Sequence, residues 1–454
     1  MSPKIAIIGA GTAGISCART LLEYGFEVTI FEARERIGGR IHASNVFGKP
    51  VDLGPNWMHG DTLQNSALMY FKDASVALHD IGSSGTIFSP SGTQYPPEKV
   101  NYIEEFMWEY VEEAIRYSKA HAATIDPDLS LYTYVEKVVT DRYPDNAEIR
   151  EQILMATRIF GFYIGEDVTN QSLKFAYLEE PSPGENLFVA SGFASILQSM
   201  AGKVLDKVDL QLNTPVAGVH TFDSGVNITL TAGQSIPFDA VVVAAPLGAL
   251  KKRTIAFRPE LPSRLVSAID SLGYGRLEKV YIRFPRQFWN LDYFEFFSPE
   301  YAPDSNPEKW PMSVISLAHL PEPYSQPVLL WYLYGDMSQK VVNMQSDREK
   351  IAFFKPYFSR ISGYELGRDD PEAILCTSWS KDSYAGYGSY SCFTTGLKEG
   401  DKDIEELRRG LPERNVWFAG EHCSDVLELA TVGGAYGSGT HAAKLVVEQF
   451  ACKN

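Results

Sequence analysis

Lys4-Ile-Ala-Ile-Ile8, Gly9-Ala-Gly11-Thr-Ala-Gly14 and Glu27-Val-Thr-Ile-Phe31 decide the fold of this 454-residue chain. The first run is apolar beyond its lysine and of strand length, as a parallel strand buried on both faces requires. Ile15, Ala18, Leu21 and Leu22 recur at helical spacing through Tyr24, and Gly25 is a natural helix stop. Glu27–Phe31 is a second strand, so the stretch is a complete βαβ unit. Its glycines stand where a dinucleotide fingerprint needs them. Gly9 allows the tight turn, Gly11 lets the backbone approach a diphosphate, and Gly14 lets helix and strand pack closely. The diphosphate lies on the helix N-terminus. Glu32, at the end of the second strand, is placed to accept from a ribose diol.

NAD and FAD both satisfy that pattern. The continuation Glu32-Ala-Arg34-Glu-Arg36-Ile-Gly38-Gly39-Arg40 separates them. A second glycine pair extends the phosphate site, and Arg40 presents a bidentate donor to a diphosphate. An NAD domain has no need of this extension. FAD is therefore the predicted cofactor, with Arg34, Gly39 and Arg40 added to its contacts.

Composition sets outer bounds. The length suggests two domains, and 44% hydrophobic with 22% charged residues is an ordinary globular balance. No window approaches the roughly 18 uninterrupted apolar residues of a membrane span, so no membrane partner is expected. A net charge of −16 argues against nucleic acid. It suits a cationic small substrate, and equally a protein kept soluble by its charge. The five cysteines (Cys17, Cys376, Cys392, Cys423 and Cys452) lie far apart without metal-ligand spacing, so no metal is expected. A reducing compartment, the cytoplasm, is the expectation. Neither the start, Met1 to Lys4, nor the end, Ala451 to Asn454, reads as a targeting signal.

Helical patterns cover Asn101–Ala122, Asn146–Arg158 and Phe193–Ala201. Strand patterns cover Val208–Leu212, Val226–Thr231, Asp239–Ala245, 275–290 and 327–335, then Asn415–Ala419 before a helix from Gly434 to Glu448. Nucleotide-binding elements thus occur at both ends. The predicted class is α/β: a discontinuous Rossmann-type FAD-binding domain (1–75, 200–290 and 390–454) with an α+β substrate-binding domain (76–199 and 291–389).

Taken together, these segments resemble the flavin-containing amine oxidase superfamily, and are nearest in motif to polyamine oxidases. Five further segments carry the resemblance. Val51-Asp-Leu-Gly54-Pro55-Asn56-Trp57-Met-His59-Gly60 is similar to the segment that passes the flavin ring. The likeness implies that Gly54 lets the backbone approach the isoalloxazine and that His59 stands at the site's mouth. Asn213-Thr-Pro-Val216, with the strand ending at Pro246-Leu-Gly248, resembles the unit whose valine meets the adenine. Gly273 to Phe284 resembles the strand bearing the active-site lysine, so Lys279 would hold a water at flavin N5 and assist reoxidation.

Trp379-x-x-Asp382-x-Tyr384 and Gly388-Ser389-Tyr390-Ser391 resemble the late active-site loop, with Trp379 and Tyr390 facing the flavin and the amine. Ser389 falls where monoamine oxidases carry the cysteine that binds flavin covalently, and Cys392 is displaced from it, which implies non-covalent FAD. Gly420-Glu421 and Ala430-Thr431-Val432 resemble the closing FAD motif, Glu421 accepting from a ribityl hydroxyl. The helix beginning near Gly434 would aim its positive end at flavin N1–C2=O. Many relatives carry a tyrosine where Thr431 stands, so the aromatic cage is expected to be half open.

The implied activity is oxidation of a C–N bond of a polyamine-type amine, primary or secondary, by hydride transfer to flavin N5. Aldehyde, shortened amine and hydrogen peroxide would be released, with oxygen as the partner substrate. Catalysis falls to Lys279, His59 and Tyr390, and substrate contact to His59, Trp379, Tyr390 and Thr431. No arginine stands in the Gly54–Trp57 segment to meet a substrate carboxylate. Alternatives are a larger specialised-metabolite amine, or an amine-binding flavoprotein without turnover. Monomer and homodimer stay open, as does whether Glu166, Asp167, Glu179 or Glu180 reaches the substrate.

Overall fold

The computed structural model describes residues 2–61, 65–72, 75–80, 85–89, 93–180, 183–290, 292, 295–298, 306–425 and 428–451. Cys452 lies outside them. The strand β1 (Lys4–Ile8), the helix α1 (Thr12–Glu23) and the strand β2 (Glu27–Phe31) form the expected βαβ unit. They seed a five-stranded parallel sheet in the order Val416–Phe418, Ala240–Val243, β1, β2, Asp209–Gln211. Its inner strands Lys4–Ile8 and Ala240–Val243 are almost wholly buried and must be covered on both faces. Ile5, Ile7, Val242 and Trp417 share one core with Ala442, Ala443 and Val446 of the last helix, Val432–Ala451. That helix lies directly on α1. A Cβ at Gly439 would stand 2.0 Å from the carbonyl of Ala13, so only glycine permits this crossing.

A six-stranded sheet lies apart from it, ordered Ala373–Cys376, Glu278–Arg283, Val328–Leu333, Met312–Ser316, Glu295–Ser298, Gly85–Ile87. All its pairs are antiparallel except the last. Two predicted assignments change here. The strand Glu278–Arg283, placed by sequence in the FAD-binding segment 200–290, pairs with Val328–Leu333 and Ala373–Cys376 and so belongs to this second sheet. Conversely, Phe193–Ala201, placed almost wholly in the substrate-binding segment, buries Phe193, Ile196 and Leu197 against Ile15 of α1.

Three helices, Pro97–His121, Leu131–Arg142 and Ala147–Ile159, pack around Tyr110, Val135 and Ile153. The middle one has no counterpart in the sequence reading. Its β-branched residues disfavour helix. Ser130 caps it by accepting from Thr133 N–H, and burial of Leu131, Val135 and Val139 at i, i+4 and i+8 holds it. Among the described residues no helix is long and apolar enough to cross a membrane, and no three His, Cys, Asp or Glu side chains group to hold a metal ion.

Candidate active site

The dinucleotide end is built as the glycines suggest. Gly9 sits at φ +109°, and a Cβ there would meet the Ala244 carbonyl at 2.8 Å. At Gly14 a Cβ would meet the Gly9 carbonyl at 2.0 Å. Gly11, by contrast, has nothing within 4 Å of its Cβ direction, and the helix it begins has no side-chain cap. An open approach to uncapped N–H groups is what a diphosphate needs. Gly39 (φ +58°) faces Gly11 across this space. The buried Glu32 carboxylate accepts from Ala10 N–H (2.8 Å) and Arg34 N–H (2.9 Å), which fixes it at the end of β2. Thr214 N–H donates to the Glu32 carbonyl, bringing half-buried Val216 beside the same edge. These residues fit FAD.

Arg40 and Glu421 come from opposite ends of the chain and meet. Arg40 Nη1 donates to Glu421 Oε1 at 2.9 Å and to the Ser389 carbonyl at 2.6 Å. Ser391 N–H and its hydroxyl donate to the other Glu421 oxygen. Gly420, at φ +147°, donates its N–H to Ser438 Oγ and turns the chain into this position. Both carboxylate oxygens of Asp382 accept from Arg34 Nη2 at 2.9 Å, so this guanidinium anchors the late loop.

Lys279 is buried on the strand Glu278–Arg283, with Nζ donating to the Gly54 carbonyl and to Asn56 Oδ1, and more distantly to the Asp52 carbonyl (3.4 Å). Burial lowers its pKa, and the Asp52 charge opposes that shift. Tyr332 donates its hydroxyl to Asn56 Oδ1 (2.9 Å) and accepts from Trp57 Nε1 (3.0 Å), so the whole Gly54-Pro55-Asn56-Trp57 segment is tied to this lysine. Gly54 is demanded by its protein neighbours alone. A Cβ there would collide with the Arg40 carbonyl at 1.9 Å, so a protein neighbour demands the glycine.

Trp379 is also buried and donates Nε1 to the Leu53 carbonyl at 3.0 Å. It is held by Glu278, a residue the sequence reading passed over. This buried carboxylate faces away from Lys279 and accepts from Thr377 Oγ1, Trp379 N–H (3.0 Å) and Ser380 N–H (2.8 Å). Adjacent strand residues point to opposite faces. One therefore presents an ammonium and the next fixes an indole.

The mouth is less enclosed. His59 is exposed, and its Nδ1 lies 3.2 Å from Asn186 Oδ1 on the neighbouring strand Asn186–Val189. Tyr390 donates its hydroxyl to the Tyr163 carbonyl at 3.3 Å, and a Cβ at Gly165 would stand 2.8 Å from the Tyr390 hydroxyl oxygen. Of the four acids left open, Glu180 pairs with Lys119, and Asp167 with Arg158 and Thr169. Glu179 accepts from Phe393 N–H and Gln171, and burial pushes its carboxyl up to about 7. Glu166 accepts from Asp167 N–H, and burial raises it. Thr431 uses its hydroxyl to accept from Gly434 N–H (2.9 Å) and to donate to the Glu428 carbonyl (2.7 Å). That hydroxyl starts the last helix. Val432 packs with Ile15 and Met58.

A family profile described as flavin containing amine oxidoreductase matches residues 12–447. The chain belongs to this family and is an FAD-dependent amine oxidase. It is similar to Polyamine oxidase 4 of Oryza sativa subsp. japonica, 30% identical over 97% of this chain and 88% of that one. It is similar as well to Polyamine oxidase 2 of Arabidopsis thaliana, 30% identical over 98% of this chain and 88% of that one. Cyclohexylamine oxidase from Brevibacterium oxydans IH-35A shares the fold, with a TM-score of 0.77, 20% identity and coverage of 99% and 100%.

Proposed function

We propose that this chain oxidises a C–N bond of a polyamine-type amine, primary or secondary, releasing aldehyde, shortened amine and hydrogen peroxide. The burial of Lys279 between the Gly54 and Asn56 carbonyls carries the reading, because a buried ammonium is costly and persists where it has work to do. The relatives' names support the polyamine class. When bound, the flavin accepts the hydride and passes electrons to oxygen. The protein supplies the rest. Trp379 and Tyr390 flank the amine, and the dry surroundings favour its neutral form, whose lone pair drives C–H cleavage. Lys279 Nζ keeps a proton available to reduced oxygen. The contact of His59 with Asn186 supports a role for His59 in meeting a distal amine group.

Non-covalent FAD is supported by two contacts. Ser389 Oγ accepts from Leu277 N–H at 2.9 Å, and the buried Cys392 pairs with Gly273, whose added Cβ would stand 2.9 Å from its sulfur. Precipitation with acid should free all the flavin. A peroxide assay over an amine panel, with products identified by mass, tests the substrate class. Spermine inert beside turnover of bulky aromatic amines would favour the second reading, a larger specialised-metabolite amine, which the commitment of Thr431 to its helix supports. Lys279→Met should slow reoxidation of reduced flavin at least tenfold, and an unchanged rate removes Lys279 from that step. Free Cys17, Cys376, Cys392 and Cys423 support a reducing compartment such as the cytoplasm, which cell fractionation tests.

A further inference from the structure

Asp52 is a buried acid on the short strand Val51–Asp52, and its two ends reach in different directions. The backbone carbonyl accepts from Lys279 Nζ at 3.4 Å and from the Tyr281 hydroxyl, side chains on one face of the strand Glu278–Arg283. The carboxylate reaches the helix Phe193–Ala201, where Oδ2 accepts from Phe193 N–H at 3.0 Å. That helix has no side-chain cap, because Gly192 precedes it at φ +78°. A Cβ at Gly192 would stand 3.3 Å from Oδ2, so the glycine leaves the acid its room. The helix dipole favours a carboxylate at this point.

The other oxygen, Oδ1, is buried with no hydrogen-bond partner. A buried, ionised acid in that condition needs a counter-charge nearby. Lys279, whose Nζ reaches the carbonyl of the same residue at 3.4 Å, is the cation beside it, beyond the 4 Å of a direct ion pair. Burial pushes the Asp52 carboxyl up and the Lys279 ammonium down, and their attraction opposes both shifts. Tyr281 and Tyr332 are the other protic groups facing Lys279, and burial raises the Tyr281 phenol far above neutrality.

We propose that Asp52 is the positioning residue of Lys279: pinned by the Phe193 N–H, it fixes a carbonyl that the ammonium donates to and sets a negative charge beside that ammonium. Its effect on turnover rests on the reading of Lys279 given above, while the pairing itself does not. Asp52→Asn keeps the shape and the acceptor for Phe193 N–H but removes the charge.

The test is a thermal-unfolding double-mutant cycle on the FAD-loaded protein, with wild type, Asp52→Asn, Lys279→Met and the double variant. Each single variant should lower Tm by stranding a buried group, and the double variant should lose clearly less than the sum. Additive losses, expected if Asp52 only caps its helix, overturn the proposal. Were Asp52→Asn too unstable to purify, recovery of folded protein on adding Lys279→Met supports it, and no recovery overturns it. The pH midpoint of flavin reoxidation should also fall by about one unit in Asp52→Asn, a tenfold change in the protonated fraction above it. If Lys279→Met reoxidises at the wild-type rate, the catalytic reading of Lys279 fails, and the cycle still decides Asp52.

Discussion

Arg40 Nη1 donates to Glu421 Oε1 at 2.9 Å, joining side chains 381 positions apart. The pair closes a domain whose pieces are otherwise held by sheet and helix contacts.

Glu421→Gln keeps an acceptor but loses the charge. The variant should lose on the order of 1–3 kcal/mol and retain less FAD, read by denaturant unfolding and by the flavin-to-protein ratio. Burial would raise the Glu421 carboxyl, yet Arg40 and its other partners hold it below its ordinary 4.5. A depressed acid stabilises the fold above its unfolded pKa and loses that contribution as pH falls through the folded value. The stability gap between wild type and Glu421→Gln should therefore be full at neutral pH and shrink below about pH 4.5. A gap that grows with acid would contradict the ion pair.

Gly14→Ala places a methyl 2.0 Å from the Gly9 carbonyl, a distance no backbone tolerates. The helix must move off the strand, and the diphosphate loses its N–H groups. The variant should purify with little FAD. Gly25→Ala, at φ +81° with open space around it, should cost only about 1 kcal/mol and keep its flavin. Equal flavin contents in the two would refute the close-packing argument.

Glu278→Ala removes the acceptor for three donors around Trp379. Unsatisfied buried groups cost roughly 1–3 kcal/mol each, with partial relief from water. Tm should drop and KM for the amine should rise, since the indole loses its anchor. Glu278→Gln should recover most of both. Unaltered KM in the alanine variant would mean that Trp379 does not contact substrate.

Thr431→Val removes the acceptor at the start of the last helix and should cost about 1 kcal/mol. The amine preference should not change, because the hydroxyl is turned to the helix. A shift in amine preference would show that Thr431 faces the substrate after all.

Local signals were read well where the chain repeats a period or punctuates it. The strand–glycine–helix opening, Glu32 and the helix Phe193–Ala201 are each specified by neighbours within a few residues, which sequence displays directly. The helix Leu131–Arg142 was hidden because its propensities are poor and its stability comes from burial and a cap.

Partnership is a different matter. That Arg34 would be taken by Asp382, that Gly54 answers to the Arg40 carbonyl, and that Thr431 is spent on its own helix follow from contacts between distant segments. Asp52 and Glu278 show why. Each is an acid in a strand-forming segment, and sequence does not say what it faces. Sheet pairing made the decision, by setting Glu278 and Lys279 on opposite faces and carrying Asp52 beneath the ammonium. The opening glycines and their acid belong to the one-dimensional chain. The charges around Lys279 exist only once that chain has closed, because the energy of a buried charge depends on its surroundings and not on its neighbours in sequence.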